Sequence, residues 1–250
     1  MDKDELLGLA KSGQFIPGIY NYCDRWCERC PVTARCLTFA MMKEQGGGQD
    51  VADLSNAEFW RHLTDSLRVA GELLRERAQE LGVDLDSVTN EDRAEEEQRT
   101  EDAQNHECCL MAKRYADMVE AWFENGIADG EQSGQVGSGV SWKEGLEVIR
   151  WYQHQIYIKL LRAIRSDSED QPEGFDDFPR DSVAQAKIAL IGIDRSIAAW
   201  DVVRKRRCSR DDEVFDLMVH LGRLRRRVER VFPEARALVR PGFEAIDRLP

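Results

Sequence analysis

Apolar residues recur at helical spacing along most of this chain. No stretch alternates apolar and polar residues with the period of two that marks a half-buried strand. The clearest helical stripe comprises Phe59, Leu63, Leu67, Ala70, Leu74 and Leu81. Ser55 and Glu58 have the spacing of a capping box, which predicts the start of this helix just before the stripe begins.

Further helices follow from the same periodicity and from helix-start residues. We expect a short helix at 32–44 and long helices at 89–125, 141–164, 181–204 and 211–232, with residues 1–22 as a tether. The predicted fold is all-α, an antiparallel bundle of about five helices, because the connecting loops are short enough for antiparallel neighbours. Residues 1–50 are expected to form a cysteine-rich metal knuckle and residues 51–250 the bundle.

Composition and charge narrow the possible partners. The chain has 250 residues, and its 42% hydrophobic content is enough to bury one large or two small cores. No apolar run reaches the length of a membrane span. The net charge of −12 is expected to repel nucleic acid and anionic membranes. We therefore expect neither as a partner, and a protein or redox partner stays open.

Four cysteines lie within fourteen residues near the N-terminus, at Cys23, Cys27, Cys30 and Cys36. Thiolates select zinc, cuprous copper and iron–sulfur clusters. Disulfide frameworks belong to small secreted chains, whereas this sequence begins without the apolar stretch of a signal peptide. We therefore expect a metal centre in a cytoplasmic protein.

The spacing C-x3-C-x2-C-x5-C bears on which metal is bound. Zinc sites with four cysteines usually use two knuckles separated by a loop, and this run has no such loop. Cubane clusters accept cysteines at short, uneven intervals. A [4Fe–4S] cluster is the favoured cofactor, and zinc is the alternative.

The second part of the run resembles a known cluster segment. Cys27-x2-Cys30-Pro31-Val32-x3-Cys36-Leu37-x2-Ala40 is similar to the cysteine segment of WhiB-type iron–sulfur regulators, and its C-x2-C-x5-C part to the [4Fe–4S] segment of RecB-type and CRISPR-associated nucleases. The resemblance covers fourteen of 250 residues, so it implies the cofactor and not the fold. WhiB-type proteins place their first ligand well upstream and carry a basic DNA-binding tail. This chain does neither, so DNA binding and nuclease chemistry are not carried over.

A second candidate site consists of polar residues at positions where apolar neighbours predict a bundle core. They are Glu147, Arg150, His154, Asp194, Asp216 and His220. A buried carboxylate or imidazole must be paired, hydrogen-bonded or metal-bound. We expect His154 and Asp194 to face the interior on neighbouring helices, with Arg150 pairing with Asp194. A structural network, a ligand or proton-handling site and a second metal site are the alternatives.

Three hypotheses about function follow. The favoured one is an iron–sulfur helical-bundle protein whose cluster serves redox sensing, electron transfer or structure. The second is a zinc-stapled adaptor for protein–protein interaction, and the third is an enzyme with a polar pocket in the bundle core. No phosphate loop, nucleophile motif or zinc-protease motif names a reaction.

Overall fold

The structure is a computed structural model, and it describes residues 3–44, 57–125, 141–167, 179–205 and 210–244. In these residues the chain forms eight α-helices and no strand, so the predicted all-α class is confirmed. The helices are α1 Lys3–Lys11, α2 Leu37–Glu44, α3 Ala57–Leu81, α4 Asn90–Asn105, α5 Glu107–Glu124, α6 Trp142–Asp167, α7 Asp181–Lys205 and α8 Asp211–Val231. Short 3₁₀ turns occur at Ile19–Tyr22, Cys27–Arg29, Thr33–Arg35 and Pro233–Arg236.

The chain divides into two compact units. The N-terminal unit comprises Met1–Tyr20, Arg25–Glu96 and Pro241–Pro250, and the helical unit comprises Asn21–Asp24 and Glu97–Arg240. This division differs from the boundary expected at residue 50. It differs because α3 groups with the N-terminal residues, and because bundle side chains bind the backbone of residues 21–24.

The helical unit is a ring of four helices, in which α5 packs with α6, α6 with α7, α7 with α8 and α8 with α5. Lys159 of α6 donates to Gln185 near the start of α7 (3.0 Å). Tyr152, earlier on α6, accepts from Arg195, later on α7 (2.5 Å). The later residue of α6 contacts the earlier residue of α7, and the earlier residue of α6 contacts the later one, so the two helices are antiparallel.

Helix α5 is antiparallel to both of its ring neighbours. Arg227, late on α8, pairs with Glu107 at the start of α5, and Arg210, which precedes α8, binds the Trp122 carbonyl near the end of α5. The α5–α6 contacts, Ala116 with Gln153 and Phe123 with Arg150, also run in opposite directions. The result is an up-down-up-down bundle.

Aromatic side chains fill the centre of this bundle. Trp200 and Tyr115 are completely buried, and the Trp200 Nε1 donates to the Tyr115 hydroxyl (3.0 Å). The rings of Trp122 and Trp200 pack edge to face, with their centroids 5.0 Å apart. Because α5 and α7 are diagonal in the ring, these contacts pass through the core and connect two helices that are not ring neighbours.

One predicted helix is two helices in the structure. The helix expected at 89–125 breaks at His106, whose backbone is extended (φ −64°, ψ 139°) and whose Nδ1 accepts from the Cys108 backbone N–H (3.2 Å). His106 therefore caps α5. The predicted starts of α4 and α6 agree with reciprocal capping bonds, between Thr89 and Asp92 and between Ser141 and Glu144.

The N-terminal unit buries much less. The predicted tether contains a helix, α1, whose Lys3 pairs with Glu76 of α3. Among the described residues, the buried apolar side chains of this unit are Ile16, Ile19, Val69 and Ala78. Gly242 (φ 78°) lies so close to Ile16 that a Cβ there would be 2.7 Å from the Ile16 Cδ1.

The α3 stripe forms a helix as predicted, but Leu63, Leu67, Leu74 and Leu81 are exposed. The predicted cap at Ser55 lies outside the described residues. No described helix is both long enough and apolar enough to cross a bilayer.

Candidate metal centre

All four cysteines stand at the ends of short 3₁₀ turns, and Cys23 directly follows the turn Ile19–Tyr22. Cys27 opens the turn Cys27–Arg29, and the Cys30 N–H closes it by donating to the Cys27 carbonyl (3.2 Å). The Cys36 N–H closes the next turn by donating to Thr33 (3.1 Å), and its carbonyl accepts from Ala40 at the start of α2 (3.0 Å). These turns give the cysteine run a defined backbone without a strand or long helix.

The donor set is chemically suited to a soft metal. Cys23, Cys27, Cys30 and Cys36 are thiols of intermediate exposure, not disulfides. In the part of the chain that the structure describes, no group of three or more His, Cys, Asp or Glu residues is arranged to hold a metal ion. Ligand geometry in small metal modules commonly forms together with metal binding. Convergence of the four thiols on one centre stays a prediction.

The segment that contains Cys23 is bound to the bundle through its backbone. Gln185 donates to the Asn21 carbonyl (3.2 Å), Arg240 to that of Tyr22 (3.3 Å), and Trp151 (3.3 Å) and Gln155 to that of Asp24. Tyr22 is itself buried. The backbone on both sides of Cys23 is therefore held in place by α6, α7 and the residue Arg240.

The Asp24 carboxylate completes this attachment. It accepts from the Tyr152 hydroxyl (2.5 Å) and from Arg195 (2.7 Å), and its side chain is only 15% exposed. Burial, together with the Asp24 carboxylate, raises the pKa of Tyr152 well above its ordinary value. Burial alone would lower the pKa of Arg195, but Tyr152 and Asp24 outweigh it and raise this pKa. The neutral phenol and the ion pair are thus the stable forms.

Sequence reasoning missed this network. Its one signal is Tyr152, since a tyrosine at a core position of α6 needs a hydrogen-bond partner for its hydroxyl. Nothing in the sequence identifies Asp24 as that partner. The residue after it, Arg25, has φ 58°, an uncommon backbone conformation for a residue other than glycine.

The predicted polar cluster in the bundle core is wrong for most of its members. Glu147, Arg150, His154 and Asp216 are exposed. The buried side of α6 is formed instead by Gly145, Ile149, Tyr152, Gln153, Ile156, Lys159, Leu160 and Ala163. His154 has Trp151 at i−3 and Ile158 at i+4, but Ile158 is itself 58% exposed. The apolar stripe is wider than the surface that the neighbouring helices cover.

Asp194 is partly buried, with 38% of its side chain exposed, but it does not pair with Arg150. It binds Arg236 (2.5 Å) and lies 3.5 Å from Arg225. The hydrogen bonds of Arg236 to Asp194 and, with a smaller effect, to Glu229 raise the pKa of Arg236 above its ordinary range. Arg150 instead stacks on Phe123, with the guanidinium carbon 3.6 Å from the ring centre.

The last member of that cluster, His220, has a structural role. Its Nε2 lies 2.8 Å from the Met111 carbonyl of α5. The structure therefore places four of the six predicted residues at exposed positions and does not form the predicted Arg150–Asp194 pair, which removes the basis for a buried polar pocket formed by them.

The remaining described cysteines pack as small apolar residues. Cys108 and Cys109 are completely buried. Burial raises the pKa of Cys108 to about 11 and that of Cys109 to about 12. Both thiols are therefore poor nucleophiles and poor metal ligands. Cys208 lies outside the described residues.

The chain matches no protein-family model, no curated protein and no solved structure. Its function is therefore inferred from its own residues and their contacts.

Proposed function

We propose that Cys23, Cys27, Cys30 and Cys36 ligate one [4Fe–4S] cluster in a cytoplasmic protein. The observation that carries the proposal is the compact C-x3-C-x2-C-x5-C run of partly exposed thiols. Four thiolates match the four irons of a cubane. The resemblance of Cys27–Ala40 to known cluster segments supports the same cofactor. Disulfide frameworks belong to small secreted chains, and a 250-residue chain with four of its cysteines clustered in one short run is not of that kind, which favours a reducing compartment.

The proposed role of the cluster is redox sensing or electron transfer. None of the four thiols is buried, so a cluster on them would be open to oxidants and to a partner's redox centre. Arg25, Arg29 and Arg35 flank the cysteines. A cluster with four thiolates carries negative net charge, and nearby cations favour its more reduced state.

The helical unit would supply positioning for this site. Because the Asp24 carboxylate and carbonyl are bound by α6 and α7, the residue next to Cys23 has a fixed backbone. A ligand residue with a fixed backbone loses less conformational entropy on binding metal than one on a flexible segment. Asp24, Tyr152 and Arg195 are thus proposed positioning residues.

The test is anaerobic purification followed by metal analysis and visible spectroscopy. We expect a brown protein with about four irons and four inorganic sulfides per chain. Serine substitution of any of the four cysteines should lower the iron content. Cys109→Ala, which removes a buried thiol outside the run, should leave it unchanged and is the matched control.

The other outcomes are equally informative. A colourless protein with about one zinc per chain would contradict the iron–sulfur hypothesis and support the zinc-stapled adaptor. Protein that binds neither metal would contradict both. A potentiometric titration of the loaded protein then tests the role: a cluster that neither gains nor loses an electron reversibly is structural.

A further inference from the structure

The outward side of helix α8 carries a regular line of charged residues. The buried residues of α8, which face the bundle core, are Val214, Leu217, Leu221, Leu224 and Val228. At about 100° per residue, the opposite side of the helix holds six residues that recur every three or four positions. They are Asp212, Asp216, Val219, Arg223, Arg226 and Arg230, which we call the α8 outer line. Val219 is half-buried, and the five charged residues are exposed.

The parts of the bundle that the structure describes leave this line unmatched. Among the described residues, its five charged side chains form no ion pair and no side-chain hydrogen bond. The arginines on the flanks of α8 differ, since Arg225 pairs with Asp194 and Arg227 with Glu107. A Cβ at Gly222, near the outward side, would meet no described heavy atom within 4 Å. The outward side of α8 is therefore an uncovered, charged surface.

The charges of the α8 outer line are separated by sign along the helix. Its two aspartates precede Val219, and its three arginines follow it. Acidic first turns and basic last turns complement the helix dipole, but this effect falls off within the first and the last turn. Asp216 lies five residues after the first residue of α8, and Arg223 lies eight residues before the last. The helix dipole therefore does not account for these charges.

We propose that the α8 outer line pairs with the same line of a second copy of this chain, with the two helices antiparallel. The facing pairs are then Asp212 with Arg230, Asp216 with Arg226, and Val219 with Arg223. Each facing pair has its midpoint at Leu221, so all three contacts belong to one register. A two-fold axis through this midpoint repeats each pair, as in other isologous dimers. Val219 packs against the aliphatic stem of Arg223 of the other copy.

The order of the charges disfavours other occupants. In a parallel pair, aspartate would face aspartate and arginine would face arginine, and like charges opposed in an interface are destabilising. A nucleic acid along the line would meet both aspartates and a chain of net charge −12. A matching surface must be basic where α8 is acidic and acidic where α8 is basic. An antiparallel α8 of a second copy is such a surface.

The interface is small. From Asp212 to Arg230 the helix is about 27 Å long and about 10 Å wide, so two copies bury on the order of 540 Å². Stable complexes bury about 1,200 Å² or more, and exposed ion pairs add little each. The association is therefore transient, with a dissociation constant on the order of 0.1–1 mM.

Sedimentation equilibrium of the full chain at up to about 1 mM tests the pairing. The wild type should form dimers reversibly. Asp216→Arg and Arg226→Asp should each raise the dissociation constant about tenfold or more, because each sets two like-charged pairs face to face. Asp117→Arg and Arg114→Asp make the same charge changes at exposed positions of α5 and should leave the dissociation constant unchanged. A wild type that stays monomeric, or a dimer insensitive to both α8 variants, would overturn the proposal.

Charge exchange tests the register and shows that the variants are folded. Asp216→Arg mixed with Arg226→Asp should associate as the wild type does, because every facing pair of the mixed dimer then has opposite charges. A single chain that carries both substitutions should also dimerise. Circular dichroism checks the helicity of each variant. If neither the mixture nor the double variant associates, the antiparallel register is wrong.

Discussion

The helical unit and the N-terminal unit are stabilised in different ways. The helical unit buries Trp200, Tyr115, Tyr152 and a series of leucines and isoleucines completely. The described residues of the N-terminal unit bury four apolar side chains, and four of the five leucines of its longest helix, α3, are exposed. Hydrophobic burial scales with area, so a unit with little core needs a metal, a cross-link or a partner. The N-terminal unit holds three of the four proposed ligands.

Metal removal should show the largest difference in stability between the two units. Chelation or Cys30→Ser should disorder the N-terminal residues up to Glu44 other than Asn21–Asp24, which side chains of the helical unit bind, because metal binding and folding are coupled in small modules. The bundle should keep its helical signal. Hydrogen exchange on the chelated protein, with circular dichroism alongside, measures both. Loss of the whole helical signal would mean that the centre also stabilises the bundle.

Truncation of the bundle core should produce the largest single-residue effect on the helical unit. Trp200→Ala should cost about 3–5 kcal/mol in free energy of unfolding, since it leaves a cavity and removes the partner of the Tyr115 hydroxyl. Urea denaturation measures the change. Ile158→Ala, at a 58% exposed position of α6, is the control and should cost about 0.5 kcal/mol or less. Similar losses in both variants would contradict the assigned core.

Two aspartates distinguish a buried from an exposed ion pair in the helical unit. Asp24→Asn should cost about 2 kcal/mol, because the Asp24 carboxylate is largely buried and binds Tyr152 and Arg195. Asp194→Asn should cost about 1 kcal/mol or less, because that pair is partly solvated. Denaturant melts of the two variants give the ranking. The reverse order would show that the Asp24 contacts contribute little.

Two glycines in bundle helices should respond to alanine with opposite signs. A Cβ at Gly192 would lie 2.8 Å from the Tyr152 ring, so Gly192→Ala should destabilise by about 1–2 kcal/mol after its gain in helix propensity. No heavy atom lies within 4 Å of a Cβ at Gly222, so Gly222→Ala should stabilise by about 0.5–1 kcal/mol. Thermal melts decide, and a gain in both variants would show that α6 and α7 pack more loosely at Gly192.

The smallest expected effect is a pH dependence at the α5 cap. Burial and the Arg227 charge lower the pKa of His106, so the folded protein favours the neutral ring that accepts from Cys108. This contribution is complete above the ordinary pKa of about 6.5 and is lost as the pH falls through the lowered value. His106→Asn keeps a capping acceptor but does not titrate. Between pH 7.5 and 5.5, thermal melts should show a smaller loss of stability for this variant than for the wild type. Equal losses would show that His106 does not cause the pH dependence.

The sequence by itself determined the all-α class, most helix starts and the cysteine run. These features depend on local spacing: Thr89 with Asp92, Ser141 with Glu144, and successive members of the α3 apolar stripe lie within one or two helical turns of each other. The run of four cysteines is a sequence fact that needs no fold to be recognised.

Only the tertiary structure decided which sides of these helices are buried. His154 and Asp194 both have apolar neighbours on their own helices. On α6, however, the adjacent helices cover a different side and leave His154 exposed, and on α7 they bury Asp194 only partly. Asp24 meets Tyr152 and Arg195 across more than 120 residues of sequence. Periodicity gives the apolar stripe of a helix, but the surface that is buried depends on partners that are distant in the chain, and local spacing does not encode them.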